Sequence, residues 1–362
     1  MFEFLIKKSS SYIGIDIGTS SVKMVQLKLE ENKAKLETYG FLDNFGTFEF
    51  SDNSSRIGKL KVPDEKIVEV IKKIIREAGV NTSEVVMSVP VFSTFSSIIE
   101  FPEIAEEEIA KAIPFEARQY IPVPLEEVIL DWSIVGKKLN KEGVGASALK
   151  QFVTQVILVA IPKDIAFKYS HIAEAAGLKL IALEAESFAM ARSLVGNDKM
   201  PVLILDVGFK HTSISIIDKG CVMVNRGIDT GSSEMTRAIS QGLGIDFNRA
   251  ELLKKQNGLM QTGTETGVSK LIMPIVDIIS NEMFRLINIY AQKNSRRIEQ
   301  IIITGGGAEV YGITEYLEKY LNLKVLTGNP WARIAYNPEL EASLHEIGPF
   351  FSVATGLAMR EL

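Results

Sequence analysis

Ile13-Gly14-Ile15-Asp16-Ile17-Gly18-Thr19-Ser20-Ser21-Val22-Lys23 decides the fold, because its pattern returns far along the chain as Val202-Leu203-Ile204-Leu205-Asp206-Val207-Gly208-Phe209-Lys210-His211-Thr212-Ser213-Ile214-Ser215-Ile216. Each stretch is an apolar run that reads as a buried strand, then Asp-x-Gly, then small hydroxylated residues, then a β-branched run that reads as the returning strand. Glycine permits a turn tight enough to point backbone N–H groups into the gap, a nest for phosphate oxygens. A carboxylate at the strand end tolerates a phosphate beside it only with a cation between them. Two such hairpins facing each other make a phosphate–Mg²⁺ clamp. A single Asp-x-Gly is a common structural turn. The second copy, followed by a third glycine cluster at Thr304-Gly305-Gly306-Gly307, gives the pattern its weight.

Composition sets the frame around these turns. At 362 residues the chain exceeds the size at which one core keeps growing, so two domains are the default. The net charge of −5, with no basic stripe interleaved with aromatics, argues against nucleic-acid binding. One cysteine, Cys221, cannot form an intrachain disulfide, which fits a reducing compartment. With three histidines and that one cysteine, a structural zinc site is improbable. No stretch approaches the roughly 18 apolar residues of a membrane helix, so no direct membrane insertion is expected. Met1 to Lys8 is too short and wrongly ordered for a signal peptide and reads as the lead-in to a strand.

Strands and helices alternate from Tyr12 to about Pro90, and a helix from Pro63 to Gly79 carries Ile67, Ile71, Ile74 and Ile75 on one face. The stretch 93–177 reads as a small inserted α+β subdomain of order β-α-β-β-α, with a hairpin tip at Gly136 to Gln151. The expected first lobe is 1–92 with 178–199, joined by a closing helix at 349–362. The second lobe is 200–348, with 246–298 as its mainly helical subdomain and an exposed loop at Gln256 to Gly267.

The order of two phosphate turns, then strand-Gly-Gly-Gly-helix, resembles the actin-like ATPase fold, an α/β architecture of two duplicated lobes of βββαβα type. That resemblance implies ATP and Mg²⁺ bound between the lobes. Gly18, Thr19, Ser20 and Ser21 would hold phosphate through backbone N–H groups, with Gly208 and Thr212 doing so in the second turn. Asp16 and Asp206 would touch Mg²⁺ through water, since this ion keeps several waters. Lys23 would reach the phosphates as a point charge, or lie as an exposed strand lysine. Gly305, Gly306 and Gly307 would admit the adenine side of the nucleotide. Glu251 and Lys254 look like the superfamily's acid-and-lysine signature for ribose and adenine. Glu184 and Glu186 stand where actin-like ATPases orient the attacking water, although capping of the helix that follows is the alternative for both. His211 reads as a polar neighbour of the second turn.

The inserted segment narrows the choice. Glu100-Phe101-Pro102-Glu103-Ile104, the run from Glu107 to Val128 with Arg118-Gln119-Tyr120-Ile121-Pro122-Val123-Pro124 at its centre, and Leu130-Asp131-Trp132 closely resemble the type IV pilus assembly protein PilM family, related to the division protein FtsA. Glu184, where relatives often carry Asp, departs from it. The resemblance implies a cytoplasmic ATP-binding adaptor, peripheral at the inner face of the cytoplasmic membrane, docked on the short cytoplasmic tail of a PilN-type inner-membrane protein. ATP hydrolysis is expected to be weak or absent. Tyr120, Ile121, Pro122, Val123 and Pro124 would wall the groove for that tail, because two prolines fix φ and remove donors. Other platform proteins, the assembly motor and weak self-association belong to the same expectation. Because the chain ends at Leu362 without FtsA's amphipathic tail, recruitment through a protein is expected. A sugar- or acetate-type kinase, with Asp229 as its acid, and an FtsA-like filament protein are the competing readings.

Overall fold

The computed structural model describes residues 11–43, 63–139, 152–260 and 267–362. The Met1–Lys8 lead-in, most of the hairpin tip expected from Gly136 and the middle of the Gln256–Gly267 loop lie outside the described residues. Two five-stranded sheets share one topology. In the first, β1 (Ser11–Ile17) pairs antiparallel with β2 (Ser21–Glu30), which pairs with β3 (Lys33–Asp43). After α1 (Asp64–Glu77), β4 (Glu84–Val89) runs parallel to β1 on its other side.

A three-stranded antiparallel sheet follows, formed by β5 (Phe95–Pro102), β6 (Val128–Leu139) and β7 (Phe152–Pro162) in the order β5-β7-β6, with α2 (Glu106–Ala117) after β5. Strand β6 runs through Gly136 to Leu139, residues the sequence assigns to the hairpin tip. Helix α3 (Lys163–Ala175) then leads to β8 (Lys179–Ala185), which joins the first sheet beside β4. The short α4 (Glu186–Met190) continues as a π turn over Ala191–Val195.

The second lobe repeats the plan. Strands β9 (Val202–Val207), β10 (Thr212–Asp218) and β11 (Cys221–Ile228) form the antiparallel half. Helices α5 (Ser232–Leu243), α6 (Phe247–Gln256) and α7 (Val268–Asn294) intervene before β12 (Gln300–Thr304) pairs parallel with β9. Then α8 (Ile313–Leu321) and β13 (Lys324–Thr327) complete the sheet, and α9 (Glu341–Ile347) and α10 (Ser352–Ala358) end the chain.

Alternation along the central strands explains where the aspartates point. In β1, Ile13, Ile15 and Ile17 enter a core with α1 and α3, so Gly14 and Asp16 face the other side, as a period of two requires. Gly14 must be glycine, because a Cβ there would lie 2.0 Å from the Ala354 carbonyl of α10. In β9, Leu203, Leu205 and Val207 enter the second-lobe core. Val202 and Ile204 instead join a core shared with Val86, Ala189, Leu194, Val353 and Leu357 at the junction of the lobes. Asp206 lies on that junction side. Both aspartates therefore end strands on the surfaces that the two lobes present to each other.

Three expected boundaries move. Helix α3 buries Tyr169, Ile172 and Ala173 in the first-lobe core, so the insert's own core ends with β7. Helices α5, α6 and α7 share one core with the second sheet, so 246–298 has no separate core. The return to the first lobe begins at Trp331, which packs against Tyr39 and Phe351, rather than at 349. Each shift has one cause: burial partners distant in sequence decide which core an amphipathic helix joins.

Candidate functional site

The two hairpin turns meet in a cleft of about 340 Å³ at the lobe junction. In each, the glycine N–H closes the turn: Gly18 donates to Ser21 O at 2.9 Å and Gly208 to His211 O at 3.0 Å. A Cβ on Gly208 would lie 2.7 Å from His211 O, so the turn demands glycine. The residues Gly18 to Ser21, Gly208, Thr212, Gly305, Gly306 and Glu251 line this cleft, as do Asp16, Lys23, Glu186 and Asp206.

Three carboxylates and one ammonium form its charged centre. Asp16, 4% exposed, accepts from Lys23 Nζ at 3.1 Å on Oδ2 and from Ser88 Oγ at 2.8 Å on Oδ1. Glu186 Oε2 accepts from the Val91 N–H at 3.3 Å. Burial, then the charges of Asp16 and Asp206, push the Glu186 carboxyl well above the usual range, against the pull of the Val91 N–H and Lys23. Burial likewise raises Asp206 to about 6; Lys23 opposes this and Asp16 adds to it. Burial pulls the Lys23 ammonium down, but Asp16, Asp206 and Glu186 outweigh it and hold its pKa above the ordinary lysine value.

This arrangement fits a hydrated divalent cation. Asp16 is buried and Glu186 and Asp206 are half-buried; the latter two carry raised pKa values, and Lys23 interacts with all three. Among the described residues no group of three or more His, Cys, Asp or Glu could hold a metal by itself. Water and phosphate oxygens would have to complete the shell, which suits Mg²⁺. Glycines keep that space open. A Cβ on Gly305, at φ +79°, would lie 2.2 Å from Asp206 Oδ1.

Several residues singled out from sequence stand elsewhere. Glu184 does not line the cleft: Arg192 donates to both its oxygens, at 2.9 and 2.6 Å, and to Gly356 O at 2.6 Å. Through Arg192 its carboxylate joins β8 and the π turn to α10, and of the two glutamates at the end of β8 only Glu186 lines the cleft. Gly307 packs on Val207, where a Cβ would lie 2.1 Å from Val207 Cγ1. Lys254 is 1% exposed and donates to Glu251 at 2.7 Å, Thr236 Oγ1 at 2.9 Å and Ser232 O at 3.2 Å. It ties α6 to the start of α5 and orients Glu251, while the next residue, Lys255, lines the cleft and pairs with Glu309 at 2.7 Å. Thr212 Oγ1 donates to Thr230 O at 2.7 Å, so its proton is committed to closing the loop after β11.

Sequence reasoning also missed Ser88, Phe92, Lys255 and Ser213. Ser88, Phe92 and Lys255 lie outside the glycine motifs, and Ser213 lies in the second one but was given no role. Alternation from Asp206 across the hairpin could have found Ser213, and nothing local could have found Phe92. Its ring stacks on His211 at 4.2 Å between centroids, and His211 Nδ1 lies 3.2 Å from Asp229 Oδ1. Burial lowers the His211 pKa, with Asp229 opposing.

A second cavity of about 280 Å³ lies between the insert, the turn at 91–94 and the edge strand β11. Tyr120 and Ile121 line it with Phe95, Ser96, Asn225 and Arg226. Pro122 and Pro124 are exposed away from it, and Val123 packs against the insert's core. Only the first two residues of the expected wall face this groove. Asn225, Arg226, Gly227 and Asp229 of the second lobe form its far side.

The comparisons match this architecture. The family model described as type IV pilus assembly protein PilM matches residues 14–362. Cell division protein FtsA of Staphylococcus epidermidis is 23% identical over 373 residues, covering 93% of this chain and 78% of that protein. The solved PilM-PilN type IV pilus biogenesis complex has a TM-score of 0.78 at 23% identity, covering 97% of this chain and 98% of that one. MreB5 of Spiroplasma citri bound to AMPPNP has a TM-score of 0.53 at 14% identity, covering 96% and 95%. The fold is the actin-like ATPase fold, and the chain belongs to the type IV pilus assembly protein PilM family.

Proposed function

We propose that this chain is a nucleotide-dependent adaptor that binds Mg·ATP between its lobes and docks the short cytoplasmic tail of a PilN-type inner-membrane protein. The observation that carries the adaptor reading is the likeness, over 97% of the chain, to a chain of the PilM-PilN type IV pilus biogenesis complex, together with membership of the PilM family. The docking groove beside Tyr120 and Ile121 supports it. An extended tail can add hydrogen bonds along a strand edge while alternate side chains enter pockets, and β5 and β11 are edge strands of their sheets. Such docking holds the protein peripherally at the inner face of the membrane. Among the described residues no helix is long and apolar enough to cross a bilayer.

For the nucleotide, the backbone N–H groups of Gly18 to Ser21 and Gly208 hold phosphate, with Lys23 beside them. Asp206 would hold water on Mg²⁺, which would shield phosphate charge, with Asp16 beside it bonded to Lys23 and Ser88. Glu251 and Lys255 border the nucleoside end. Glu186, the cleft carboxylate outside the Asp-x-Gly turns that feels the charges of both Asp16 and Asp206, is the candidate to orient water, with turnover slow or absent. The kinase alternative has less support, since the Asp229 side chain is 92% exposed and borders the groove rather than the cleft.

The test is calorimetric titration of the protein with a synthetic peptide of the cytoplasmic tail encoded by its neighbouring PilN-type gene. Binding that weakens at least tenfold in Tyr120→Ala and Phe95→Ala supports the reading. Equal binding by both variants removes the groove from it. Phosphorylation of a sugar or acetate would move the function to a kinase.

A further inference from the structure

The two hairpins share the Asp-x-Gly turn but differ in the residue that faces the aspartate across the strands. In the first, Asp16 pairs across the strands with Lys23. In the second, Asp206 pairs across the strands with Ser213. Both partners lie seven residues beyond their aspartate, so the comparison is position for position. Side chains directly opposite on antiparallel strands have Cβ atoms about 4.5–5.5 Å apart. Lys23 uses that proximity to bond Asp16 at 3.1 Å, and Ser88 takes the other oxygen of Asp16.

Ser213 is too short to do the same. Its side chain lines the cleft, the residue is only 7% exposed, and its Oγ has no hydrogen-bond partner among the described residues. Neighbouring hydroxyls of the same hairpin are committed elsewhere: Thr212 donates to Thr230 O, and Ser215 donates to Asn225 Oδ1 at 3.2 Å. A buried hydroxyl without a partner costs about 1–3 kcal/mol, so a polar atom from a ligand is the fitting partner. Gly305, which grazes Asp206, keeps the approach to this pair clear.

We propose that the clamp is asymmetric: Asp206 and Ser213 together seat a water of the hydrated divalent cation, while Asp16 is held out of the cation's shell by Lys23 and Ser88. Ser213 is thus a cation-positioning residue of the nucleotide cleft. This rests on the Mg·nucleotide reading above. The first hairpin supplies a built-in positive charge for phosphate, and the second leaves the matching position for an exchangeable one.

The experiment is titration calorimetry of the non-hydrolysable analogue AMPPNP, with Mg²⁺ and with EDTA, on the full chain and three variants. The readout is the ratio of the two affinities. The wild-type ratio exceeds one. Ser213→Ala lowers it three- to tenfold with the EDTA affinity unchanged, and Ser213→Thr, which keeps the hydroxyl, restores it. Ser213→Lys brings the ratio to about one, because an ammonium then replaces the cation beside Asp206. If Ser213→Lys does not fold, the Ala and Thr pair decides. An unchanged ratio in Ser213→Ala overturns the assignment, and so does an equal loss in Mg²⁺ and EDTA, which would mean a direct phosphate contact. Wild-type protein that binds AMPPNP in neither buffer overturns the nucleotide reading and this assignment with it.

Discussion

Gly305 lies so close to Asp206 that a Cβ on it would sit 2.2 Å from the carboxylate Oδ1. The third glycine cluster and the second Asp-x-Gly turn are therefore one device. Strand β12 runs parallel to β9 with Thr304 beside Asp206, and the next residue turns at φ +79° to pass the carboxylate.

Replacing that glycine tests the device. Gly305→Ala strains a left-handed backbone, which costs about 1–3 kcal/mol, and drives Asp206 from its position. The expected outcome is a lower melting temperature together with loss of Mg²⁺-dependent nucleotide affinity. Gly306→Ala meets only a Phe350 ring edge at 3.2 Å, so its effect is smaller. Equal behaviour of the two variants in calorimetry and melting would refute the coupling of Gly305 to Asp206.

Asp206→Asn should stabilise the protein when no ligand is bound. The folded carboxyl has a pKa of about 6 against an ordinary 3.8. Between these values the native state keeps a proton that the unfolded chain releases, so this group's contribution to stability falls as pH rises through that window. At pH 7.5 the variant gains about 1–2 kcal/mol, discounted for the partial exposure of the group. The gain shrinks toward pH 4.5. Chemical denaturation at both pH values checks it, and a variant less stable than wild type at pH 7.5 contradicts the electrostatic account.

Glu184 and Arg192 give the opposite kind of result. Arg192 bonds both Glu184 oxygens and the Gly356 carbonyl, where α10 packs so tightly on Ala189 that a Cβ on Gly356 would lie 1.9 Å from its oxygen. Arg192→Ala removes both hydrogen bonds to a half-buried carboxylate and leaves it only Arg360 at 3.8 Å, and hydrogen bonds to charged groups contribute about 1.5–3 kcal/mol each. The expected result is a clear drop in denaturation midpoint, with AMPPNP affinity within twofold of wild type for Glu184→Gln. A Glu184→Gln protein that folds normally but loses nucleotide affinity would return Glu184 to the cleft.

Sequence alone revealed those features whose causes are local. The Asp-x-Gly turns were readable because glycine, carboxylate and flanking β-branched runs all lie within a dozen residues. Lys254 misled because Glu251 and Lys254 do share a helix face. That face also carries buried Ala250, and the inward stripe points to α5. Lys255, one residue and about 100° further round, reaches the cleft. The allegiance of α3 and the groove's far wall were illegible, since both are set by contacts between segments remote in sequence: Tyr169 with the first core, and Asn225 and Arg226 opposite Phe95. Tyr120 to Pro124 was read as a single wall, yet Ile121 and Val123 pack with the insert's apolar core while both prolines are exposed.

Val91, Phe92 and Gly227 line both cavities. The Val91 N–H bonds Glu186 in the cleft, and the Phe92 ring stacks on His211 of the second phosphate turn. A Cβ on Gly227 would lie 3.6 Å from Val91 Cγ1, so β11 packs directly on this partition. A shift of the turn at 91–94 by an occupant of the groove therefore moves a cleft carboxylate and a cleft wall together. Coupling between two sites is reciprocal, because each ligand must change the other's affinity by one and the same factor. Saturating AMPPNP with Mg²⁺ should change the affinity for the tail peptide by about 5- to 150-fold, and peptide should change AMPPNP affinity equally. Phe92→Ala should bring that factor toward one and lower both intrinsic affinities, whereas Tyr120→Ala should weaken the peptide alone. Calorimetry of each ligand with and without the other measures the factor. Full coupling retained in Phe92→Ala would show that the partition does not carry it.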